Sequence, residues 1–353
     1  MDEPLDDRNL ESLTPLTPPR EIKRALPAGA KAAATVRTAR AAVRDLLHGR
    51  DRARLLAVVG PCSIHDEAAA FDYAQRLRPV AKETADALLV VMRTYFEKPR
   101  TTIGWKGLIN DPHLDGSCDI PHGLSLARRI LLRINELGLP CASEVLDPVT
   151  PQYLADLLSW AAIGARTTES QTHRELASGL SMPVGFKNGT DGSLETAGNA
   201  LVSAGHPHVF LGIDAAGASA LVRTRGNPDV HVVLRGGGGR PNHDAANVAA
   251  AARLAAARGV ARGVLVDCSH DNSGRDPSRQ AAVCRAAVAQ WEAGQNALLG
   301  FMLESHLHAG RQDWRADAAP RYGVSITDPC IGFEETEALL REAAARVRRR
   351  AAA

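Results

Sequence analysis

Eight residues with charged, thiol or imidazole side chains stand where short apolar segments of this sequence end. They are Cys62, Arg93, Glu144, Arg166, Lys187, Arg235, His270 and Glu304. In a parallel α/β barrel, the carboxyl ends of the strands form the active-site face. One such residue alone is typical of a solvated charge at the rim, whereas the whole set together predicts a catalytic or binding site.

Some of these side chains offer metal-ligand atoms. Cys62, His270 and Glu304, with Asp328 from the segment SITDPC, supply one sulfur, one nitrogen and two oxygen donors. This mixture favours one divalent transition ion, Mn²⁺, Fe²⁺, Co²⁺ or Zn²⁺, over Mg²⁺ or Ca²⁺. Taken singly, Cys62 is also typical of a small buried apolar residue and Asp328 of a helix cap. The long spacing between the four residues leaves these alternatives open.

A second set of side chains is cationic. Its members are Arg93, Arg166, Lys187 and Arg235, joined by Lys98 and Arg100 of the segment FEKPRTT. Guanidinium groups bind phosphate and carboxylate through paired hydrogen bonds. The negative charges of the metal ligands nearly balance the charge of the metal ion, so the six cations need anions from outside the protein. They therefore predict phosphorylated substrates, one of which carries a carboxylate. A basic stripe for nucleic acid is the alternative, and the formal net charge of +2 disfavours it.

The segments that must position these residues alternate between apolar strands and Ala/Leu-rich helices. Candidate strands are residues 55–60, 88–93, 140–145, 163–168, 183–188, 231–236, 263–269 and 298–304. Predicted helices include residues 31–49, 123–137, 152–161, 172–180, 193–204, 244–257, 277–290 and 333–349. This alternation favours an α/β fold, a (β/α)8 TIM barrel. A doubly wound open sheet is the alternative, but no GxGxxG motif follows the first strand.

Two segments lie outside the alternation. Residues 1–50 are predicted to form an N-terminal arm and helix with an oligomeric or regulatory role, and residues 51–353 the catalytic barrel. Within that first segment, prolines predict that residues 1–30 form an arm rather than an element of the core. Between the fifth and sixth strands, residues from about 206 to 228 predict an inserted β-hairpin.

The composition is that of a globular protein. Hydrophobic residues make up 45% and charged residues 23% of the 353-residue chain, which excludes disorder for most of it. The net charge gives no reason to expect a nucleic-acid or membrane partner, and no apolar run reaches the ~18 residues of a membrane span. The acidic, proline-rich N-terminus does not resemble a signal peptide, so a cytoplasmic protein is expected. The six cysteines lack paired spacing and predict free thiols or metal ligands.

Long motifs in this chain are those of one enzyme family. They include GPCSIHD (60–66), RTYFEKPRTTIGWKGLINDP (93–112), DCSH (267–270), ESHL (304–307) and SITDPCIGFE (325–334). The chain resembles class I 3-deoxy-D-arabino-heptulosonate 7-phosphate (DAHP) synthases of the amino-acid-regulated branch. The resemblance implies a (β/α)8 barrel with an N-terminal extension and an inserted hairpin. It also implies condensation of phosphoenolpyruvate with erythrose 4-phosphate and water, with release of phosphate, as the first step of the shikimate pathway.

The resemblance further implies a role for each site residue. The metal ligands would be Cys62, His270, Glu304 and Asp328. Phosphoenolpyruvate would be held by Arg93, Lys98, Arg166, Lys187 and Arg235, and erythrose 4-phosphate by Lys98, Pro99, Arg100 and Thr101. Lys98, Glu144 and His270 are expected to take part in catalysis, Lys98 as a proton donor and Glu144 as the residue that positions the attacking water.

Regulation and assembly are implied in the same way. An aromatic amino acid, with a preference for tyrosine, would bind at Asp6, Asp7, Pro151, Gln152, Ser181, Phe210 and Gly212. The chain would form a homodimer or homotetramer.

Two alternatives have different functions: a sister condensation on arabinose 5-phosphate, which the KPRTT motif and the hairpin disfavour, and a non-catalytic phosphosugar sensor, which would not need four metal ligands.

Overall fold

A computed structural model describes residues 5–314 and 319–352. The strands are β1 (Leu55–Gly60), β2 (Leu88–Arg93), β3 (Cys141–Glu144), β4 (Trp160–Ile163), β5 (Val184–Lys187), β6 (Val209–Ile213), β7 (Ser219–Arg223), β8 (Val230–Leu234), β9 (Val264–Asp267) and β10 (Leu298–Glu304). Eight of them close a parallel barrel in the order β1-β10-β9-β8-β5-β4-β3-β2. The predicted TIM barrel is therefore confirmed, and the open doubly wound sheet is excluded.

Helices follow most of the barrel strands and cover the outside of the sheet. They are α1 (Pro19–Ala25), α2 (Ala30–Leu47), α3 (Glu67–Glu83), α4 (Ile120–Glu136), α5 (Pro151–Leu154), α6 (Gln171–Gly179), α7 (Leu194–Ala204), α8 (Ala245–Ala256), α9 (Gln280–Glu292) and α10 (Phe333–Ala352). Aspartates cap several of their first turns; the Asp66 side chain, for example, accepts from the Ala69 backbone N–H at the start of α3. In the described residues, no helix combines the length and the apolar character that crossing a membrane requires.

The core has two layers. An outer layer lies between the strands and the helices, and an inner layer fills the barrel. The carboxyl end of α2 belongs to the inner layer, since Val43, Leu46 and Leu47 are completely buried against residues such as Val58 and Trp160. Helix α2 thus closes the end of the barrel opposite the predicted site. At the predicted site, Gly60 permits a close approach, because a Cβ atom there would lie 2.6 Å from the carbonyl oxygen of Arg93.

Two predicted elements are wrong in position. Strand β4 ends at Ile163, whereas residues 164–168 form a turn in which the Thr168 N–H donates to the Gly164 carbonyl. The predicted helix 152–161 is only the four-residue α5 and a 3-10 turn over Ala155–Leu157. Arg40 donates to the carbonyls of Ala155 and Leu158, which supports this early end of the helix.

The N-terminal arm and the inserted hairpin lie outside the barrel. Residues 1–30 are not merely an arm, because they include α1, on which Ile22 is buried. Strands β6 and β7 form the predicted antiparallel hairpin. The hairpin exposes large apolar side chains, with Leu211 87% and Leu221 62% exposed, and the arm exposes Leu13 to 78%.

Candidate active site at the carboxyl ends of the barrel strands

A charged cavity of about 140 Å³ lies at the carboxyl ends of the barrel strands. We call it the mouth cavity, and most of the predicted site residues line it. They are Arg93, Lys98, Pro99, Arg100, Glu144, Arg166, Lys187, Arg235, His270 and Asp328. Cys62 and Glu304 are buried beside this cavity. Thr101, which follows Arg100 in the sequence, is exposed and does not line the cavity. The fold therefore brings together, in or beside this cavity, the residues that the strand-end pattern singled out.

Three of the cations in the mouth cavity are buried, and each has a carboxylate partner. Arg93 Nη2 lies 2.8 Å from Glu304 Oε1, Lys187 Nζ 3.2 Å from Asp267 Oδ2, and Arg235 Nη1 3.2 Å from Asp271 Oδ2. A buried charge without such a partner is strongly unfavourable. The cations are thus held in place before any substrate anion arrives.

Arg93 is the most constrained of these cations. Its guanidinium donates to the carbonyls of Pro61 and Cys62 as well as to Glu304, and it stacks 3.5 Å above the centre of the Tyr95 ring. Burial disfavours the charged form, but electrostatic interactions with Tyr95, Glu304 and other acidic side chains nearby outweigh this effect and raise the Arg93 pKa. Arg93 is therefore a fixed positive wall of the cavity.

Arg100 and Arg166 lie at the entrance. Both are exposed, and the Arg100 guanidinium donates to the Trp105 carbonyl. Arg166 lies three residues beyond the end of β4, in the turn that replaces the predicted strand. Lys98 is half-buried between these entrance residues and the cavity floor. The mouth cavity therefore has fixed cations inside and freer ones at its rim.

The predicted metal ligands meet on one side of the mouth cavity. Ligand atoms of Cys62, Glu304 and Asp328 all lie within 4.8 Å of one another, with Cys62 Sγ 3.5 Å from Asp328 Oδ2. His270 lies beside this group, with Nε2 3.9 Å from Glu304 Oε1. A thiol, two carboxylates and an adjacent imidazole fit a divalent transition metal. The chemistry of this donor set thus agrees with the predicted divalent metal ion.

Electrostatics in the metal-ligand group depend on Lys98. Its Nζ lies 3.0 Å from Cys62 Sγ. Burial disfavours the Lys98 ammonium, but Cys62, Asp328 and Glu304 outweigh this effect and raise the Lys98 pKa. In turn, burial opposes ionisation of Asp328, but Lys98 and His270 lower the Asp328 pKa to about 2. Burial and the nearby Glu304 raise the pKa of the Cys62 thiol to about 11.

Three acidic residues at this site, Asp267, Asp271 and Glu97, are not singled out by the strand-end pattern. Asp267 and Asp271 flank the predicted ligand His270 in the run DCSHD, and both pair with predicted phosphoenolpyruvate ligands. Their closeness to His270 was the available signal. Glu97 stands inside the FEKPRTT motif next to Lys98, but sequence alone gives it no partner.

A second cavity, of about 440 Å³, lies outside the barrel between α5, α6 and the hairpin. We call it the lateral groove. It is lined by five of the predicted effector residues, which are Pro151, Gln152, Ser181, Phe210 and Gly212. Apolar neighbours such as Val149 and Leu176 complete its walls. Asp6 and Asp7 are exposed in the arm and do not line this groove in the described chain.

Glu97 joins the two cavities. Its carboxyl group accepts from the Asp147 backbone N–H at 3.2 Å and from Thr150 Oγ1 at 3.0 Å. The chain neighbours of these two residues, Pro148, Val149, Pro151 and Gln152, line the lateral groove, while Lys98 lines the mouth cavity. Burial, and to a lesser extent Asp147 and Glu144, raise the Glu97 pKa to about 8. A buried carboxyl group with a raised pKa thus connects the substrate loop to the wall of the groove.

Comparisons with known proteins agree with this geometry. The model of the DAHP synthetase I family matches residues 27–341. The chain is 54% identical over 328 residues to the Tyr-sensitive phospho-2-dehydro-3-deoxyheptonate aldolase of Escherichia coli (strain K12), covering 93% of this chain and 92% of that one. It is 52% identical to the Phe-sensitive protein of the same organism, covering 98% of each.

Solved structures agree as well. The structure of phospho-2-dehydro-3-deoxyheptonate aldolase from Francisella tularensis SCHU S4 superposes with a TM-score of 0.93 at 45% identity, covering 97% of this chain and 99% of that one. The fold, the strand-end residues and the sequence relatives all indicate the same family. The chain is an enzyme that belongs to the DAHP synthetase I family.

Proposed function

We propose that this enzyme condenses phosphoenolpyruvate with erythrose 4-phosphate and water to give DAHP and phosphate, the first step of the shikimate pathway. One observation carries the proposal: a cluster of three metal-ligand side chains lies directly beside a small cavity that is lined by the six predicted cations. A phosphosugar sensor would need the cations but not the metal ligands. The family membership of the chain supports the same reaction.

Phosphoenolpyruvate is assigned to the inner part of the mouth cavity. Arg93, Lys187 and Arg235 are buried there, and Arg166 and Lys98 lie above them. Their carboxylate partners hold the cations in place without neutralising the cavity completely. The phosphate and carboxylate of the substrate therefore enter a preorganised positive field, which requires little rearrangement of the protein.

Erythrose 4-phosphate is assigned to the outer part, formed by Lys98, Pro99, Arg100 and Thr101. Arg100 is exposed and lies in the wall of the cavity, where a guanidinium can meet the sugar phosphate. The aldehyde end would then point inward, toward the metal-ligand group. This places C1 of the aldose near C3 of phosphoenolpyruvate, the two atoms that form the new bond.

Cys62, His270, Glu304 and Asp328 would hold the divalent ion. When bound, the ion supplies Lewis-acid polarisation of the aldehyde oxygen. Lys98 is positioned to give a proton to the alkoxide oxygen that forms when C3 attacks, since its ammonium lies beside this ligand group. Its raised pKa keeps the proton available at neutral pH.

Glu144 is proposed to position the attacking water. Its Oε2 lies 4.0 Å from Lys187 Nζ, so the carboxylate borders the phosphoenolpyruvate site without occupying it. Water oxygen adds at C2 of phosphoenolpyruvate, and the phosphohemiketal that results expels phosphate. Arg166, Lys187 and Arg235 would stabilise that leaving group through charge-assisted hydrogen bonds.

The lateral groove is proposed to bind an aromatic amino acid that inhibits the enzyme, with tyrosine preferred. The groove is largely apolar, and Gly212 keeps one wall low, since a Cβ atom there would lie 2.8 Å from Val222 Cγ2. The preference for tyrosine rests on Gly212, because a residue without a side chain adds no atoms to this wall of the groove. Titration of tyrosine, phenylalanine and tryptophan against activity tests this preference, and insensitivity to all three would contradict it.

The chain is also proposed to form a homodimer or homotetramer through the hairpin and the arm, whose exposed leucines would be covered by another copy. In such an assembly the arm of one copy is free to reach the groove of another. This would account for Asp6 and Asp7 lying outside the groove of their own chain. Sedimentation of the wild type and of Leu211→Asp tests the proposal. The cytoplasmic location stays a prediction.

The decisive experiment measures release of phosphate and consumption of phosphoenolpyruvate by metal-stripped protein after addition of Mn²⁺ or Co²⁺. With erythrose 4-phosphate, one phosphate should appear for each phosphoenolpyruvate consumed. Arabinose 5-phosphate and a sample without any aldehyde are the controls. Equal rates with arabinose 5-phosphate, or release without an aldehyde, would contradict the proposed reaction.

A further inference from the structure

Asp267 is a buried carboxylate that contacts both halves of the proposed site. It is the last residue of β9 and is completely buried. Its Oδ2 atom lies 3.0 Å from His270 Nδ1 and 3.2 Å from Lys187 Nζ. His270 belongs to the proposed metal ligands and Lys187 to the proposed phosphoenolpyruvate ligands. A single oxygen atom therefore lies between the two parts of the site.

We propose that Asp267 is a positioning residue that sets the orientation of the His270 ring and of the Lys187 ammonium together. The inference rests on the proposed function, because it gives Asp267 a task in that reaction. It follows that metal affinity and phosphoenolpyruvate affinity share one determinant. Asp267 itself touches neither the metal nor the substrate.

The carboxylate is held so that this oxygen faces its two partners at ion-pair distance, although neither Oδ2 nor His270 Nδ1 meets hydrogen-bond geometry in this structure. Its other oxygen, Oδ1, accepts from the Ser269 backbone N–H at 3.0 Å. The Asp267 carbonyl accepts from Asn272 Nδ2 at 2.8 Å, which fixes the backbone of the same segment. With Oδ1 and the backbone both engaged, Oδ2 is the atom left for His270 and Lys187.

His270 lies between two carboxylates on an unusual stretch of backbone. Its φ angle of +56° lies in the left-handed region, which residues other than glycine rarely adopt. With Nδ1 next to Asp267, Nε2 is the nitrogen on the side of Glu304. A neutral imidazole that keeps its proton on Nδ1 has a free lone pair on Nε2. Carboxylates that fix metal-binding histidines in this way commonly raise metal affinity 10- to 100-fold.

Lys187 depends on the same oxygen. Its side chain is buried, and its other carboxylate neighbour, Glu144, lies farther away at 4.0 Å. Asp267 thus fixes where the ammonium waits for the anionic substrate. When the ammonium turns to that substrate, Oδ2 is left to His270 alone. Binding of the substrate anion should therefore strengthen the hold on the metal ligand.

Asp271 provides a matched comparison on the same segment. Its Oδ2 lies 3.2 Å from Arg235 Nη1, and its Oδ1 3.2 Å from Arg275 Nε. Asp271 is buried and acidic like Asp267, but its partners are a proposed substrate ligand and Arg275, and neither is a proposed metal ligand. The two aspartates therefore separate a general need for a buried countercharge from the shared role proposed for Asp267.

The test titrates Co²⁺ into the metal-stripped full-length protein and follows the absorption band that a cysteine thiolate gives when bound to Co²⁺. Wild type, Asp267→Asn and Asp271→Asn are compared without substrate. Asp267→Asn should weaken Co²⁺ binding 10- to 100-fold, and Asp271→Asn should change it less than about twofold. Binding of phosphoenolpyruvate, followed by calorimetry, should weaken in both variants.

Coupling between the two ligands gives a readout that a merely structural role would not move. In wild type, phosphoenolpyruvate should tighten Co²⁺ binding, and Co²⁺ should tighten phosphoenolpyruvate binding by the same factor. This factor should fall toward one in Asp267→Asn and persist in Asp271→Asn. Unchanged Co²⁺ affinity in Asp267→Asn would overturn the inference, and so would unchanged coupling.

A second measurement covers the case in which Asp267→Asn does not fold. Nitrogen-15 spectra of histidine-labelled, metal-free wild type, with His270→Gln used for assignment, should show His270 protonated at Nδ1 and not at Nε2. Protonation at Nε2 would overturn the inference. If wild type gives no thiolate band with Co²⁺, the proposed function fails instead, which distinguishes the two results.

Discussion

The mouth cavity and the lateral groove differ in how they are built. The mouth cavity is walled by strand ends and the loops that follow directly, and its charges are paired in advance. The groove is walled by α5, α6 and the inserted hairpin, and its surface is largely apolar. Hydrogen bonds between neighbouring barrel strands fix the positions of the residues in the mouth cavity. The second site depends on elements that were added to the barrel.

This difference indicates a division of labour. Chemistry at the mouth needs charges held in fixed positions, and backbone hydrogen bonds between strands provide that rigidity. Recognition at the groove needs shape, which short helices and a hairpin can adjust. The Glu97 carboxyl group connects the two regions, because it accepts hydrogen bonds from Asp147 and Thr150 while it lies in the substrate loop. A substitution in the mouth cavity should therefore change turnover far more than inhibition, and a substitution in the lateral groove should do the reverse.

Removal of the metal should have the largest effect. Chelation should lower turnover by roughly 1,000-fold or more, because several kcal/mol of transition-state stabilisation are lost. Addition of Mn²⁺ or Co²⁺ should restore it. Binding of tyrosine to the groove, followed by calorimetry, should stay within about twofold of the untreated enzyme. Full turnover in stripped protein would contradict the metal assignment.

Two arginine substitutions should separate the substrates within the mouth cavity. Arg100→Ala should mainly raise the KM for erythrose 4-phosphate, and Arg235→Ala the KM for phosphoenolpyruvate. Each loses a charge-assisted contact of about 1.5–3 kcal/mol, which corresponds to roughly 10- to 150-fold. Steady-state kinetics with each substrate varied in turn provides the measurement. Equal effects on both substrates would show that the assignment is wrong.

Gly212→Val should affect the groove and leave the mouth cavity unchanged. The new side chain would start 2.8 Å from Val222 and fill the wall proposed to admit a phenolic ring. The tyrosine concentration for half inhibition should rise at least roughly tenfold, since a well-packed wall rejects extra methyl groups at a cost of about 1–3 kcal/mol. Both KM values should stay unchanged.

Ala220→Val is the control for that substitution. Ala220 pairs with Gly212 across the hairpin but does not line the groove. It should leave inhibition by tyrosine as in wild type. Equal loss of inhibition in both variants would mean that the hairpin as a whole, and not the space at residue 212, determines binding.

Glu97→Gln should have the smallest effect on turnover, and its effect on stability should depend on pH. The folded-state pKa of about 8 lies above the ordinary 4.5, so folding requires a proton on Glu97 between these values. Wild-type stability should therefore fall as the pH rises from 4.5 to 8, at up to about 1.4 kcal/mol per pH unit. Glutamine resembles the protonated form and has no such dependence.

Denaturant unfolding at pH 5, 6.5 and 8 measures this difference. The stability of Glu97→Gln relative to wild type should increase across the series. The exposed Glu195→Gln is the control and should give parallel curves. A constant difference between Glu97→Gln and wild type would show that Glu97 is ionised in the folded protein.

The mouth cavity could be predicted from sequence for a physical reason. Closing a parallel barrel brings all strand ends to one face, so residues as distant as Arg93 and Glu304 must meet there. Position along the chain is then enough to place them. The turn at 164–168 escaped prediction because its paired threonines, Thr167 and Thr168, are β-branched residues of the kind that is enriched in strands. Arg166 still lines the cavity, since a turn directly after a strand lies on the same face.

Other features could not be predicted because they depend on partners distant in sequence. Asp267 resembles a turn residue after a valine-rich strand, and its importance is visible only once Lys187 and His270 lie beside it. Glu97 becomes interpretable only through Thr150. The short helix α5 ends just before Ala155 and Leu158, whose carbonyls accept hydrogen bonds from Arg40 on a helix more than a hundred residues earlier.

The exposed leucines of the hairpin and the arm have a consequence for how the enzyme responds to dilution. The mouth cavity is complete within one chain, so catalysis should be independent of enzyme concentration. The groove borders the hairpin, where Leu211 and Leu221 face solvent in the single chain. If neighbouring copies cover these residues, feedback sensitivity should decline at enzyme concentrations where turnover per chain is still constant. An assay at low enzyme concentration would then underestimate the inhibition that operates at high concentration.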